Sequence, residues 1–552
     1  MCLARSWIET CVSEHEECKV GTEKGWYPSR LLDLGTLDGE TCRLVETSNT
    51  TIDGPYMTLS HCWGTVDCLK LTLDNHVQFQ NGIPLATLPQ LYEDAMHVTR
   101  RLGIRYLWID SLCIIQRGDG LADWRHEVTH MDKIYSNTFC NISATDAPDA
   151  HHAMFHTRNP EVHYPQRVNV STDGGEAISQ FTIMNRDFWQ AEVSDVRLNR
   201  RAWVLQERLM APRVLHFGRN QILWECRTKD AAETYPEGLP QALHGSRYIR
   251  FKDLTLATRY RQDSGNGDEG AYNGHASNAV VAAYQPWAQI VQQYTASSLT
   301  FPDDKLVALS AVAKLMAGVL RDEYIAGLWR RYLERELLWS VCKRSRDSAK
   351  RPKVYRAPSW SWASVDGEVT PGYLDVGAGD ILVNVVDVQL DYVTDDKTGL
   401  VRGGWLRLRG ALKHLALLPR LSPSSRNSGV QDNWIMVVNR TRVSVESESE
   451  MRELQPHVFL DTEQQYRDLA DPQQPEDGNI YCMPVRKREG DQGSIYVLIL
   501  KLHDREKGIF RRIGLARGWG ADVQQKIMAP STEESKFPCD SYQDGLHAIY
   551  II

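Results

Sequence analysis

Between residues 56 and 144 the hydrophobic pattern alternates between the strand and the helix period, and this restricts the fold more than any other feature of the chain. YMTLSHCW (56–63) reads as a strand. TLPQLYEDAMHVTRRLG (87–103) reads as a helix, with Thr87 as candidate N-cap, Pro89 in the first turn, Leu91, Ala95, Val98 and Leu102 on one face, and Gly103 as the stop. YLWID (106–110) is a second strand, 121–136 a second amphipathic helix, and FCNISA (139–144) a third strand. This βαβαβ order predicts parallel strands joined by right-handed crossovers, with a ligand crevice at their carboxyl ends.

The run YLWIDSLCIIQ (106–116) then poses a problem, because Asp110 stands inside an apolar stretch. Burying an unpaired carboxylate costs several kcal/mol, so Asp110 is either paired internally or faces a site at the strand end. Ser111 follows it, and Ser60, His61 and Trp63 end the neighbouring strand, so these groups could converge. The competing reading makes Asp110 an anchor for adjacent loop N–H groups. Cys113 reads as core.

Further on, NRRAWVLQERLM is a helix and PRVLHF/QILWEC a hairpin across a Gly218–Asn220 turn. Residues 280–342 read as helical, and beyond APSWSWASVDG the pattern turns to strands (ILVNVVDVQLDYV, GWLRLRG, SIYVLILKL, IFRRIGLARGW). The expected organisation is an N-terminal flank (1–50), an α/β domain (51–230), a helical region (231–345) and a C-terminal β-rich region (346–552). Polar, Gly/Asn/Ser-rich stretches at 261–278 and 421–433 read as loops.

Composition narrows the class. With 42% hydrophobic and 24% charged residues the 552-residue chain is globular, and its formal net charge of -8 argues against a nucleic-acid binder. The N-terminus lacks the basic start and apolar run of a signal peptide, and no apolar run is long enough to span a bilayer. The 12 Cys are scattered in apolar surroundings, which fits reduced core thiols. The expectation is a soluble, cytoplasmic protein.

YMTLSHCWG, TLPQLYEDAMHVTRRLGIRYLWIDSLCIIQ, DWRHEVTHMDKIYSN and RAWVLQERLMAPRVLHF, in this order, resemble the fungal heterokaryon incompatibility (HET) domain family. The resemblance implies a role in nonself recognition and programmed cell death. It also implies a flavodoxin-like α/β fold, since HET domains are distantly similar to TIR domains, some of which cleave NAD. Trp124-x-x-Glu127 resembles the surroundings of the TIR catalytic glutamate, so the resemblance points to Glu127 and Asp110 as catalytic carboxylates, with NAD as candidate substrate and no certain cofactor. Ser60, His61, Trp63, Ser111, Trp124 and Arg201 become candidate ligand-binding residues, Arg201 for an anionic group such as a pyrophosphate. The bland alternatives are that Glu127 pairs with Arg125 or Lys133, and that Glu207 pairs with Arg201 or Arg208. Three functions stay open: an effector hydrolysing NAD, a non-enzymatic module assembling with itself or with other incompatibility proteins, and an enzyme acting on a small metabolite.

Two metal patterns are present. HEVTH (126–130) matches H-E-x-x-H, but Leu121, Trp124, Val128, Met131 and Tyr135 form the expected buried stripe and place His126 and His130 towards solvent. Cys11, His15 and Cys18 share one helical face without a nearby fourth ligand, which reads as packed thiols. Neither set is taken as a metal site.

Overall fold

The computed structural model describes residues 1–19, 23, 25–159, 164–172, 177–243, 250, 252, 283–372, 380–419, 434–443, 456–470, 479–489 and 493–552; the expected loops at 261–278 and 421–433 lie outside the described residues. The chain divides into two compact units, Met1–Leu254 and Thr255–Ile552.

The first unit is built on a nine-stranded sheet. Its strands are β1 (Arg30–Asp33), β2 (Thr41–Glu46), β3 (Tyr56–Ser60), β4 (Ile83–Pro84), β5 (Tyr106–Ile109), β6 (Asn141–Ser143), β7 (Arg213–Phe217), β8 (Ile222–Cys226) and β9 (Asp230–Ala232), in the spatial order β9-β8-β7-β6-β3-β5-β1-β2-β4. β3 pairs in parallel with β5 and β6, and β6 in parallel with β7. The three strands expected from the 56–144 pattern are therefore present and parallel. The sheet as a whole is mixed, which corrects the expectation of a parallel sheet. β1 joins β5 antiparallel, and the β7-β8-β9 meander is antiparallel within itself. Short connections explain the meander, since a hairpin turn can join only antiparallel neighbours.

Five helices of this unit position the residues singled out above: α1 (Cys2–Glu14), α2 (Gln90–Arg101), α3 (Ala122–Val128), α4 (Met131–Ser136) and α5 (Ala202–Met210). α2 buries Leu91, Ala95 and Val98 completely, as its periodicity predicts. Its N-cap is Pro89 and not Thr87, whose hydroxyl donates to the Pro84 carbonyl; Gly103, at φ +81°, ends it as expected. The single helix expected over 121–136 is two, because the chain breaks at Thr129 and His130, so one buried stripe does not run through both. α5 is buried on nearly every side, with only Trp203 partly exposed. Its polar residues must then find partners inside the protein.

The second unit carries α6 (Gln285–Ala296), α7 (Ser310–Leu320) and a large, mainly antiparallel sheet that includes Asn384–Tyr392, Val401–Gly410, Ser494–Asp504 and Ile509–Trp519, the four stretches read as strands; Ile509–Trp519 also pairs in parallel with Leu546–Ile551. The expected helix over YIAGLWRRYLERELLW is largely absent. Tyr324–Ile325 and Leu328–Trp329 form a hairpin whose turn residues Ala326 and Gly327 take positive φ (45° and 100°), the geometry a two-residue hairpin needs. Trp287 and Trp362 both donate their indole N–H to the Gly327 carbonyl, and a side chain at Gly327 would come within 2.8 Å of Trp362. Trp339 lies under the Arg512 guanidinium at 3.4 Å, and Asp461 faces Arg512 at 3.4 Å and Arg351 at 3.0 Å.

Gly64 closes the turn that succeeds β3. It has φ +73°, and a Cβ there would stand 2.3 Å from that of Asp149. Gly64→Ala is expected to lower the unfolding free energy by about 2–4 kcal/mol, combining left-handed backbone strain with overpacking. Urea titration should show a lower midpoint with an unchanged slope.

Candidate functional site

The carboxyl ends of β3 and β5 bring together most of the residues singled out in the sequence. β3 is paired on both edges, so Ser60 ends it fully buried and His61 comes next at 3% exposure. After β5 the chain turns directly into a single helical turn, Asp110–Cys113. The Asp110 carboxyl accepts the Ser111 amide at 2.7 Å and the Trp63 indole N–H at 2.9 Å, and its side chain remains 29% exposed. The anchoring reading of this acid therefore holds, since it accepts two N–H groups, and the acid also meets solvent.

His61 fixes the other side. Its Nε2 lies 3.1 Å from the Tyr92 hydroxyl, which is 2.7 Å from the Ser111 hydroxyl, while its Nδ1 lacks a hydrogen-bond partner and faces Asp110 at 3.8 Å. Burial lowers its pKa to about 4 even though the Asp110 charge works the other way, so the ring is neutral near pH 7. Arg201, half-buried at the start of α5, donates to the His61 carbonyl.

Glu207 on α5 completes the group, and its expected pairing with Arg201 or Arg208 needs correction. It is buried and accepts a hydrogen bond from Ser60, and Ser60 also bonds the Asn141 side chain. Arg208 instead forms a two-pronged pair with Glu225 on β8, at 2.6 and 2.8 Å, with His216 at 3.2 Å from the same carboxylate. A helix rotates successive residues by about 100°, which sends Glu207 and Arg208 to different neighbours. Burial raises the Glu207 pKa to about 7; Ser60 opposes this, Asp110 adds to it and Arg201 counters it. Ser60, His61, Asp110, Arg201 and Glu207 thus form one electrostatic group.

Glu127 stands elsewhere. It is the buried residue of α3, 2% exposed, and accepts the Ser29 hydroxyl at 2.5 Å with Arg30 at 4.0 Å. Arg30 in turn bonds Asp123 at 2.5 Å and the Cys113 carbonyl at 2.7 Å. Burial raises the Glu127 pKa. The bonded partners of Glu127 and of Asp110 do not overlap, and the expected pairing of Glu127 with Arg125 or Lys133 is replaced by that with Arg30. Trp124 is half-buried on the same helix. His126 is exposed and His130 half-buried, the latter turned onto the His126 carbonyl at 2.9 Å, in keeping with solvated histidines. Cys113 is buried, and burial raises its thiol pKa to about 12, which leaves it protonated and poorly nucleophilic.

Residue-by-residue reading of the sequence does not place Glu207, Tyr92 and Asn141 in this group. The signal for Glu207 is the QER triplet within an otherwise apolar helix, where a buried acid has to be satisfied by another element.

The pKa directions give a stability test. The folded-state pKa of Glu207 lies above its unfolded value, so the folded protein binds the extra proton between pH 4.5 and about 7 and loses stability as pH rises through that window. His61 acts in the opposite sense, costing stability as pH falls from 6.5 towards about 4. Glu207→Gln, which keeps a neutral partner for Ser60, is expected to raise the melting temperature relative to wild type more at pH 8 than at pH 5. An equal shift at both pH values would contradict the assignment.

No curated protein and no solved structure matches the chain. The model of the family described as Heterokaryon incompatibility protein (HET) matches residues 56–207, from the start of β3 to Glu207, and over this stretch the chain is similar to that family.

Proposed function

We propose that the HET domain of this chain acts in heterokaryon incompatibility and cell death as a hydrolase of NAD, working at the carboxyl ends of β3 and β5. The observation that carries this reading is the placement of Asp110, a partly exposed acid held between the Trp63 indole and the Ser111 amide, at the end of a parallel strand. The four parallel strands run in the spatial order second-first-third-fourth (β5-β3-β6-β7), the order of a doubly wound, flavodoxin-type sheet. In such sheets the ligand crevice opens at the carboxyl ends beside the first strand, where Ser60 and His61 stand.

The chemistry asks little of a nucleophile. Breaking the nicotinamide–ribose bond releases neutral nicotinamide and leaves an oxocarbenium-like ribose, which water captures with loss of a proton to give ADP-ribose. A carboxylate beside that carbon stabilises the developing positive charge. Asp110 supplies it, Trp63 supplies a ring face for the nicotinamide or adenine, and Arg201 a cation for the pyrophosphate. Neutral His61, and Glu207 with its pKa raised to about 7, limit further charge near the ribose. Glu127, Ser29, Arg30 and Asp123 are assigned to holding α3 and the β1 end in place.

Purified protein incubated with NAD should release nicotinamide, and Asp110→Asn should lower kcat at least about 100-fold, the scale of losing one preorganised electrostatic group. Arg201→Ala is expected to raise KM more than it lowers kcat. Absence of release at stoichiometric enzyme would overturn the reading and leave an assembly module or another small-molecule substrate.

A further inference from the structure

Cys11, His15 and Cys18 meet a fourth residue, Cys226, and the ligand atoms of all four lie within 4.8 Å of one another. The expected continuous helical face does not exist. α1 ends at Glu14, His15 is its extended C-cap, and Cys18 sits in the 3₁₀ turn Glu16–Lys19. That bend folds the segment over itself, with the His15 amide on the Cys11 carbonyl at 3.3 Å and the Cys18 amide on the His15 carbonyl at 3.2 Å. Cys226 arrives from the end of β8, in a tight turn in which its amide bonds the Lys229 carbonyl at 3.0 Å.

We propose that these four residues form a structural zinc site of the Cys3His type, clasping the N-terminal segment to the β8–β9 turn of the HET-bearing unit. The three cysteines are fully buried, at 0% exposure each, and His15 Nδ1 lies 3.4 Å from the Cys226 sulfur. Tetrahedral zinc with Zn–S bonds of about 2.3 Å sets ligand sulfurs about 3.8 Å apart, inside the observed spread. Four protein donors fill the coordination shell and leave no position for water or substrate, which is the mark of a structural site. Soft sulfur with one imidazole selects zinc over magnesium or calcium, which take oxygen ligands.

The surroundings supply what such a site needs around it. The Lys229 amide donates to the Cys226 sulfur at 3.2 Å, and the Thr228 hydroxyl lies 3.8 Å from the Cys18 sulfur. Glu17 ties the same two segments together, accepting Thr228 on its carboxylate and Arg227 on its carbonyl, both at 3.1 Å. Three thiolates on a divalent ion leave one net negative charge, and the guanidinium groups of Arg213 and Arg227 lie within electrostatic reach of the thiols. Without an ion, three weak S–H donors and one imidazole would be packed together with little to bind them. A disulfide would join only two of the three sulfurs and strand the third.

Full-length protein purified from zinc-supplemented medium without chelator should contain about one zinc per chain, with three cysteines shielded from alkylation until a chelator removes the metal. Cobalt loaded in place of zinc should show thiolate-to-cobalt charge transfer and the strong visible bands of tetrahedral geometry. Cys226→Ser and His15→Ala should each reduce zinc to below about a tenth per chain, whereas Cys539→Ser, outside the cluster, should retain it. The proposal fails if wild-type protein carries no stoichiometric metal, if non-reducing peptide mapping finds any two of Cys11, Cys18 and Cys226 disulfide-bonded, or if both cluster variants keep full zinc. The alkylation and cobalt measurements use wild-type protein, so they decide the matter even where a variant does not fold.

Discussion

β3 is the strand on which the arrangement depends, because it is hydrogen-bonded in parallel on both edges and buried along its whole length. A strand in that position has no water to satisfy polar groups at its end. Ser60 and His61 must be met by other elements, and they are met by Glu207 from α5, Asn141 from β6 and Tyr92 from α2. Three separate segments are thereby committed to one point in space. That commitment stabilises the unit and also gathers its ionisable groups around Asp110, so the packing problem and the candidate chemistry have the same solution.

The cost of this solution is visible in the groups themselves. Glu207 is pushed up towards the neutral acid and His61 is kept as the neutral base, each by desolvation that a nearby charge only partly offsets. One helical residue further on, Arg208 obeys a different rule, remaining paired to Glu225 in two-pronged geometry deep in the unit. Removing one member of such a pair generally costs about 3–5 kcal/mol, so α5 is held at both of its polar faces.

The centre of this unit is legible in the sequence and its periphery is not. YMTLS, YLWI and NIS declare themselves as strands because buried parallel strands read as short apolar runs bounded by helix signals. The β7–β8 hairpin is legible from its turn. Its attachment alongside β6, and the docking of β1 beside β5, depend on pairing between distant segments and leave no local pattern. Helical phase places Glu127 relative to its own helix only, and the break after Val128 together with Arg30 from β1 decides where it goes. The same limit hides Cys226 from the N-terminal cluster, since it lies 211 residues from His15.

The two ends of the nine-stranded sheet are of unusual make. One is β4, two residues long and containing Pro84, and the other is β9, three residues long. A strand lengthens a sheet by reading a row of free N–H and C=O groups along an edge, and a proline or a very short edge offers almost none. The sheet is therefore blunted at both sides against edge-to-edge pairing. Among the described residues of this nine-stranded sheet, strand addition at either end therefore finds almost no template.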